Sequence, residues 1–121
     1  MSTVLIIEDE PRIAEFIAKG LKSAGLTSTT TTSGVEGALL ATHGGFDLVI
    51  LDVGLPDIDG FEVAQRIRRF SATFIVMLTA RTDPSDEKRG FEAGADRYLR
   101  KPFRPAELRR HLKEGTAAAE V

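Results

Sequence analysis

The chain contains no cysteine. That excludes a disulfide-stapled scaffold and any zinc site built on thiolates. It also lacks long hydrophobic runs. Val4–Ile7 and Leu48–Leu51 are far shorter than the roughly 20 apolar residues needed to cross a bilayer, so no membrane span is expected. No basic segment precedes an apolar one at the N-terminus, so no secretory leader is expected and a cytoplasmic location is the default. Charge of one sign is scarce as well: 16 basic against 18 acidic residues leave a net of −2, too little to imply a polyanionic or polycationic partner. Arg66, Arg68 and Arg69, and then Arg97 to Arg110, do cluster, and they read as solvated helix faces rather than a nucleic-acid surface. What remains is ordinary for a globular chain. Its 121 residues are 42% hydrophobic, enough for one domain with one core.

The hydrophobic pattern alternates between short runs and helical spacing. Thr3–Ile7 is an apolar, β-branched run of the buried-strand type. Pro11 then suits the first turn of a helix carrying Ile13, Phe16, Ile17, Leu21 and Ala24, with Gly25 as its stop. Leu26–Thr32 is Thr-rich and predicts a half-exposed edge strand. Ser33 can cap a second helix, bearing Val35, Ala38 and Leu39, that ends near Gly44–Gly45. Leu48–Leu51 reads as a central parallel strand, Gly54–Gly60 as a loop, and Val63, Ala64 and Ile67 as a third helix. Phe74–Leu78 is a fourth strand. Asp83–Asp86 opens a fourth helix that includes Phe91 and stops near Gly94. Arg97–Leu99 is a short fifth strand, and Pro105 starts a fifth helix with Leu108 and Leu112, ended by Gly115. Strands alternating with helices predict an α/β fold: a three-layer, doubly wound, five-stranded parallel sheet covered on both faces. No repeat and no second domain is visible. Residues 1–114 form the domain and 115–121 a tail or linker stub.

A sheet of this type gathers ligands at the C-terminal ends of its strands. Glu8, Asp9 and Glu10 follow the first strand, Asp52 the third, Thr79 ends the fourth, and Lys101 with Pro102 follows the fifth. Converging carboxylates repel, and a hard divalent cation such as Mg²⁺ relieves that cost while keeping coordination open for a phosphoryl oxygen. Lys101 would add a point charge and Thr79 a hydroxyl donor. Phosphoryl transfer requires little more than positioning and charge neutralisation. Singly, each residue has a plainer reading. Asp9 or Glu10 can cap a helix, Asp52 can sit in a turn, Thr79 can end a strand and Lys101 can be a surface lysine; Asp57 and Asp59 read as loop residues. The combination at four strand ends carries the argument.

With those residues in place, the sequence strongly resembles the response-regulator receiver family. The resemblance runs from Thr3 to about Leu112. It is carried by Leu5-Ile6-Ile7-Glu8-Asp9-Glu10, the stretch Asp47 to Gly60 around Asp52, Leu78-Thr79-Ala80, and Gly94 to Phe103 around Lys101-Pro102. It implies the flavodoxin-like strand order 2-1-3-4-5, of which CheY is the standard example. It implies that Asp52 is the phospho-acceptor, fed by a sensor histidine kinase or a histidine phosphotransfer protein. Asp9 would bind Mg²⁺ directly and Glu8 through water, with the Gly54 carbonyl completing the protein ligands. Thr79, Lys101 and the backbone N–H groups of Gly54 and Ala80 would hold the phosphoryl oxygens. The Lys101–Pro102 bond would be cis, and Thr79 with Tyr98 would form the switch that alters the helix 4–strand 5–helix 5 face. Such a domain turns over no external substrate, binds no nucleic acid itself and touches no membrane.

The motif wording is most similar to the OmpR/PhoB-like branch, whose members usually carry a C-terminal winged-helix DNA-binding domain that these residues do not include. The chain departs from that branch where it dimerises. A lysine of the pattern falls at Glu87, an aspartate at Arg97 and an arginine at His111, so Glu87 would face Glu107 with like charge. A weak or atypical homodimer through helix 4–strand 5–helix 5 is the expectation. Gly54 lacks a side chain to shield the phosphoryl group, and Arg81 is the residue expected to cover it instead. Three other readings compete, one of them a phosphate-independent interaction module, which the full set of acceptor-site residues disfavours. An aspartyl-phosphate phosphatase would want a second carboxylate soon after Asp52, where Val53 and Gly54 stand. A flavin carrier would want a phosphate-cradling loop where Glu8, Asp9 and Glu10 place negative charge.

Overall fold

A computed structural model describes residues 2–80 and 84–120, with side chains given through Thr116. Arg81 and Asp83, each expected above to have a role, lie outside the described residues. The elements run β1 (Thr3–Ile7), α1 (Pro11–Ser23), β2 (Thr27–Thr31), α2 (Gly34–His43), β3 (Leu48–Asp52), α3 (Gly60–Arg68), β4 (Phe74–Thr79), α4 (Pro84–Ala93), β5 (Arg97–Arg100) and α5 (Pro105–Glu120). The strands form one parallel sheet in the order β2-β1-β3-β4-β5, as the resemblance implies.

The period-two alternation of the central strands divides the core in two. Leu5, Ile7, Val49, Leu51, Ile75 and Met77 face α2, α3 and α4, where Ala38, Phe61, Val63 and Ile67 meet them. Val4, Ile6, Leu48, Ile50, Val76 and Leu78 face α1 and α5, against Ile17, Leu21, Leu108 and Leu112. Because β1, β3 and β4 are covered on both faces, they read as continuous apolar runs. The Thr-rich β2 is an edge strand with only Thr31 buried.

Two expectations need correction. Gly115 does not end α5, which continues to Glu120. A Cβ at Gly115 would stand 2.0 Å from Leu48 Cδ1 and 3.0 Å from Phe74 Cδ1, so this glycine serves close packing of the helix on the sheet and not a left-handed cap. The buried face of α2 is also not the one its large residues suggested. Val35 and Leu39 are 41% and 59% exposed, while Gly34, Gly37, Ala38 and Ala41 face inward. At Gly37 a Cβ would lie 2.5 Å from Ile7 Cδ1; only small residues allow α2 to approach β1 so closely.

Candidate functional site

The C-terminal ends of β1, β3, β4 and β5 meet at one rim. Glu8 follows β1, and its N–H donates to the Thr31 carbonyl at 3.1 Å. Asp52 is the last residue of β3, and the next N–H, of Val53, donates to the Leu78 carbonyl at 2.9 Å. Thr79 closes β4, and its carbonyl accepts from the Lys101 N–H at 2.7 Å. The chain then turns through a cis Lys101–Pro102 peptide. The backbone thus delivers these side chains to one place through the strand register, although Asp52 and Lys101 stand 49 residues apart in sequence and Glu8 is farther still from Lys101.

Lys101 Nζ lies 2.7 Å from Glu8 Oε1 and 3.1 Å from Asp52 Oδ1, with only 13% of the lysine side chain exposed. The Glu8, Asp52 and Thr79 side chains are buried, and Asp9 is half-buried beside them. One carboxylate oxygen each from Glu8, Asp9 and Asp52 falls within 4.8 Å of the others. Burial pushes the Glu8 carboxyl up to about 7; the Lys101 ammonium works against that rise and the Asp52 charge adds to it. Burial would lower the Lys101 ammonium, yet hydrogen bonding and charge from Glu8 and Asp52 outweigh it and hold its pKa above the usual lysine value.

This donor set suits a hard divalent cation. All three groups are carboxylates, with no imidazole or thiolate among them, as Mg²⁺ prefers. When all are ionised, one ammonium cannot balance three negative charges, and the Asp52 charge adds to the rise that burial imposes on Glu8. Glu10 stands apart: it is exposed and is the N-cap residue of α1 without a side-chain cap bond.

Gly54 and Ala80 lie exposed at the same rim, two residues and one residue past Asp52 and Thr79. A Cβ at Gly54 would come no closer than 3.7 Å, to Asp52 Oδ2, so that side of the acceptor is open. Tyr98, on β5, has its hydroxyl fully covered and its ring tucked against α4, within about 3.2 Å of where a Gly90 Cβ would be and 6.3 Å from the Phe91 ring. Burial raises the Tyr98 phenol, opposed by the neighbouring Thr79 hydroxyl.

Asp57 and Asp59 are more than loop residues. Asp59 is the N-cap of α3, accepting from the Glu62 N–H at 2.9 Å, and Arg89 of α4 stands 3.8 Å from it and over the Phe61 ring. The spacing Asp59-x-x-Glu62 is a recognisable capping pattern and could have revealed this. Asp57 binds the start of α2, 22 to 24 residues away, and no local pattern points there.

Known proteins share this fold. The sequence profile described as the response regulator receiver domain matches residues 4–113. The chain is 45% identical over 105 residues to the transcriptional activator protein IrlR of Burkholderia pseudomallei (strain 1026b), covering 87% of this chain and 46% of that protein. It is 41% identical over 113 residues to the KDP operon transcriptional regulatory protein KdpE of Escherichia coli (strain K12), covering 93% and 50%. Among solved structures, the receiver domain of sensor histidine kinase PA1611 from Pseudomonas aeruginosa PAO1, with a magnesium ion coordinated in its active-site cleft, superposes with a TM-score of 0.88. The identity is 30%, and the match covers 96% of this chain and 98% of that one. The chain spans about half the length of the curated relatives it matches.

Proposed function

The chain belongs to the response regulator receiver domain family of two-component systems, and from that footing we propose that its Asp52 is the phospho-acceptor of a signalling switch. Phosphorylation and Mg²⁺ dependence are general in this family. The observation that carries the assignment to these residues is Lys101 Nζ held between Glu8 and Asp52, with Asp9 completing an acidic cluster at one sheet edge.

In this reading an Asp52 carboxylate oxygen attacks the phosphorus of a phosphohistidine on a sensor histidine kinase or histidine phosphotransfer protein. The new O–P bond forms as the P–N bond breaks, and its electron pair returns to the imidazole nitrogen. Lys101, the Thr79 hydroxyl and the backbone N–H groups of Gly54 and Ala80 take the phosphoryl oxygens, replacing water with fixed donors. Glu8, Asp9, Asp52 and the Gly54 carbonyl would hold Mg²⁺, which when bound supplies the positive charge that offsets the acceptor and phosphoryl oxygens. No external substrate is turned over. Thr79 and Tyr98 then relay the change of charge to the α4–β5–α5 face.

That face is weakly equipped for the homodimer usual in the OmpR/PhoB-like branch. Glu87 pairs with Arg100 within the chain at 3.2 Å, Arg97 pairs with Glu114, and His111 is only 7% exposed. Glu87 and Arg97, which stand where the branch pattern has a lysine and an aspartate, are engaged within the chain, which favours a weak or rearranged dimer. Residues 1–114 are taken as the receiver unit and 115–121 as a tail or linker stub, although α5 crosses that boundary to Glu120 and Gly115 still packs against Leu48. Transcription regulators among the relatives make a winged-helix DNA-binding output the natural companion of such a unit, with DNA contacts made there and not by this domain. No helix of the described residues is long and apolar enough to cross a membrane, and a cytoplasmic setting fits the proposed partners. Intact-mass analysis after incubation with acetyl phosphate, with and without Mg²⁺, tests the assignment. Wild type gains one phosphoryl mass only with Mg²⁺ and Asp52→Ala gains none; an equal gain by the variant refutes it.

A further inference from the structure

The acidic cluster draws on two separate strand ends, β1 for Glu8 and Asp9 and β3 for Asp52 and the Gly54 loop. These ends are tied a second time, outside the sheet. Glu8 N–H donates to the Thr31 carbonyl at 3.1 Å. Thr31 Oγ1 accepts from the Ser33 N–H at 3.3 Å, and Ser33 caps α2 by accepting from the Glu36 N–H at 3.1 Å. Asp57, five residues past Asp52, closes the circuit. Its Oδ2 accepts from Ser33 Oγ at 2.8 Å and from the Val35 N–H at 2.9 Å, and its Oδ1 accepts from the Gly34 N–H at 2.8 Å. The approach is close because Gly34 has no side chain: a Cβ there would lie 2.8 Å from Ile58 Cγ1 and 3.2 Å from Asp57 Oδ1.

The other end of the loop is equally held. Gly60 N–H donates to the Val53 carbonyl at 2.9 Å, and a Gly60 Cβ would lie 2.6 Å from the Asp52 carbonyl oxygen. The segment from Val53 to Asp59 is therefore pinned at its base to Asp52 and at its tip to α2. Gly54 sits between the two anchors.

We infer that Asp57 is a positioning residue for phosphoryl transfer: by gripping the start of α2 it sets where the Gly54 backbone stands relative to Glu8, Asp9 and Asp52. Asp57 is itself exposed and makes no contact with the acceptor, so its influence passes through the loop. The Val35 and Gly34 N–H groups and the Ser33 hydroxyl hold its carboxyl well below the usual carboxylate range, so the grip is ionised throughout the working pH range. A backbone donor or metal ligand displaced by a fraction of an ångström weakens a charge-positioning site far more than it weakens the fold.

The inference rests on the phospho-acceptor reading and is separable from it. Phosphorylation by acetyl phosphate is followed by intact mass across a Mg²⁺ titration, beside thermal melts in EDTA. Asp57→Ala is expected to raise the half-saturating Mg²⁺ and to slow phosphorylation at limiting Mg²⁺ by about tenfold. Asp57→Asn keeps the shape but only one acceptor oxygen, with its amide NH2 set against a donor of the Ser33–Val35 segment, and is expected to fall between Asp57→Ala and wild type. A lowered melting temperature with an unchanged Mg²⁺ requirement and rate means that Asp57 only caps α2, and overturns the inference. Should Asp57→Ala fail to fold, Asp57→Glu keeps the charge and shifts the acceptor by one methylene, and an unchanged Mg²⁺ requirement there overturns it equally. If wild type itself gains no phosphoryl group, the phospho-acceptor reading fails and this inference falls with it.

Discussion

Replacing Lys101 with methionine removes the ammonium that touches both buried carboxylates while keeping a long apolar side chain. In the native protein the Lys101 side chain is 13% exposed, Glu8 0% and Asp52 7%, so the three groups are shielded from bulk water. Deleting one partner of a buried ion pair costs roughly 3–5 kcal/mol, because the charge left behind is uncompensated. Glu8 can limit that loss by taking up a proton. Its carboxyl is already raised from 4.5 to about 7 with the lysine present, and it rises further without it. A raised acid pKa means that the folded state binds the proton more tightly than the unfolded chain, so stability falls as pH rises through that window. For wild type the window from 4.5 to about 7 corresponds to about 3 kcal/mol lost on going from pH 4.5 to pH 8 without metal. Lys101→Met should therefore be destabilised by about 3–5 kcal/mol at pH 8 in EDTA, a fall in Tm of about 10–20 °C, and by much less at pH 5. Saturating Mg²⁺ should recover part of the loss at pH 8, since a cation takes over the charge compensation. Circular-dichroism melts at the two pH values, with EDTA and then with Mg²⁺, measure all of this. An unchanged Tm at pH 8 in EDTA, or a larger loss at pH 5, refutes the electrostatic argument.

Gly60→Ala places a methyl 2.6 Å from the Asp52 carbonyl oxygen and 2.7 Å from Val53 Cα, both backbone; about 1–3 kcal/mol of stability should be lost in urea titrations. Gly54→Ala meets nothing closer than 3.7 Å and should stay within about 0.5 kcal/mol of wild type in the same titration. Arg68 donates to the carbonyls of Gly94 at 2.9 Å and Thr73 at 2.6 Å and to Asp96 Oδ2 at 2.6 Å, which in turn accepts from the Ile75 N–H at 2.8 Å. Arg68→Ala should cost about 2–3 kcal/mol, with faster hydrogen exchange at Ile75; full protection there would contradict the role given to the guanidinium. In sedimentation with a phosphoryl mimic, the protein should stay monomeric or associate weakly, and a tight dimer disrupted by Glu107→Lys would show that the intrachain pairs of Glu87 and Arg97 do not disarm the α4–β5–α5 face.

The fold was legible because both kinds of signal were strong. Continuous runs such as Leu48–Leu51 occur where a strand is covered on both faces, and they alternate with amphipathic helices closed by Gly25 and Gly94, both at positive φ. Legibility failed where packing, not local preference, sets the outcome. Gly115 has the form of a helix stop, yet it lies against Leu48 and the helix runs on. Val35 and Leu39 have the form of a buried stripe, yet the small residues opposite them let α2 come closer to Ile7, and that face won. At the site, Glu8, Asp9, Asp52, Thr79 and Lys101 could be named because each ends or follows a segment readable as a strand. Asp57 could not, because its partners belong to another helix.

By itself the sequence determined which residues carry the charge, which runs must be buried and that strands and helices alternate, since these follow from residue type and periodicity. Only the tertiary structure decided the distances that make the rim a site: Lys101 between Glu8 and Asp52, the loop past Asp52 tied to α2, and Arg97 turned toward Glu114. The physical reason is that pattern is local whereas electrostatic coupling depends on separation in space. Parallel strands joined by crossovers bring together groups that no window of neighbouring residues contains.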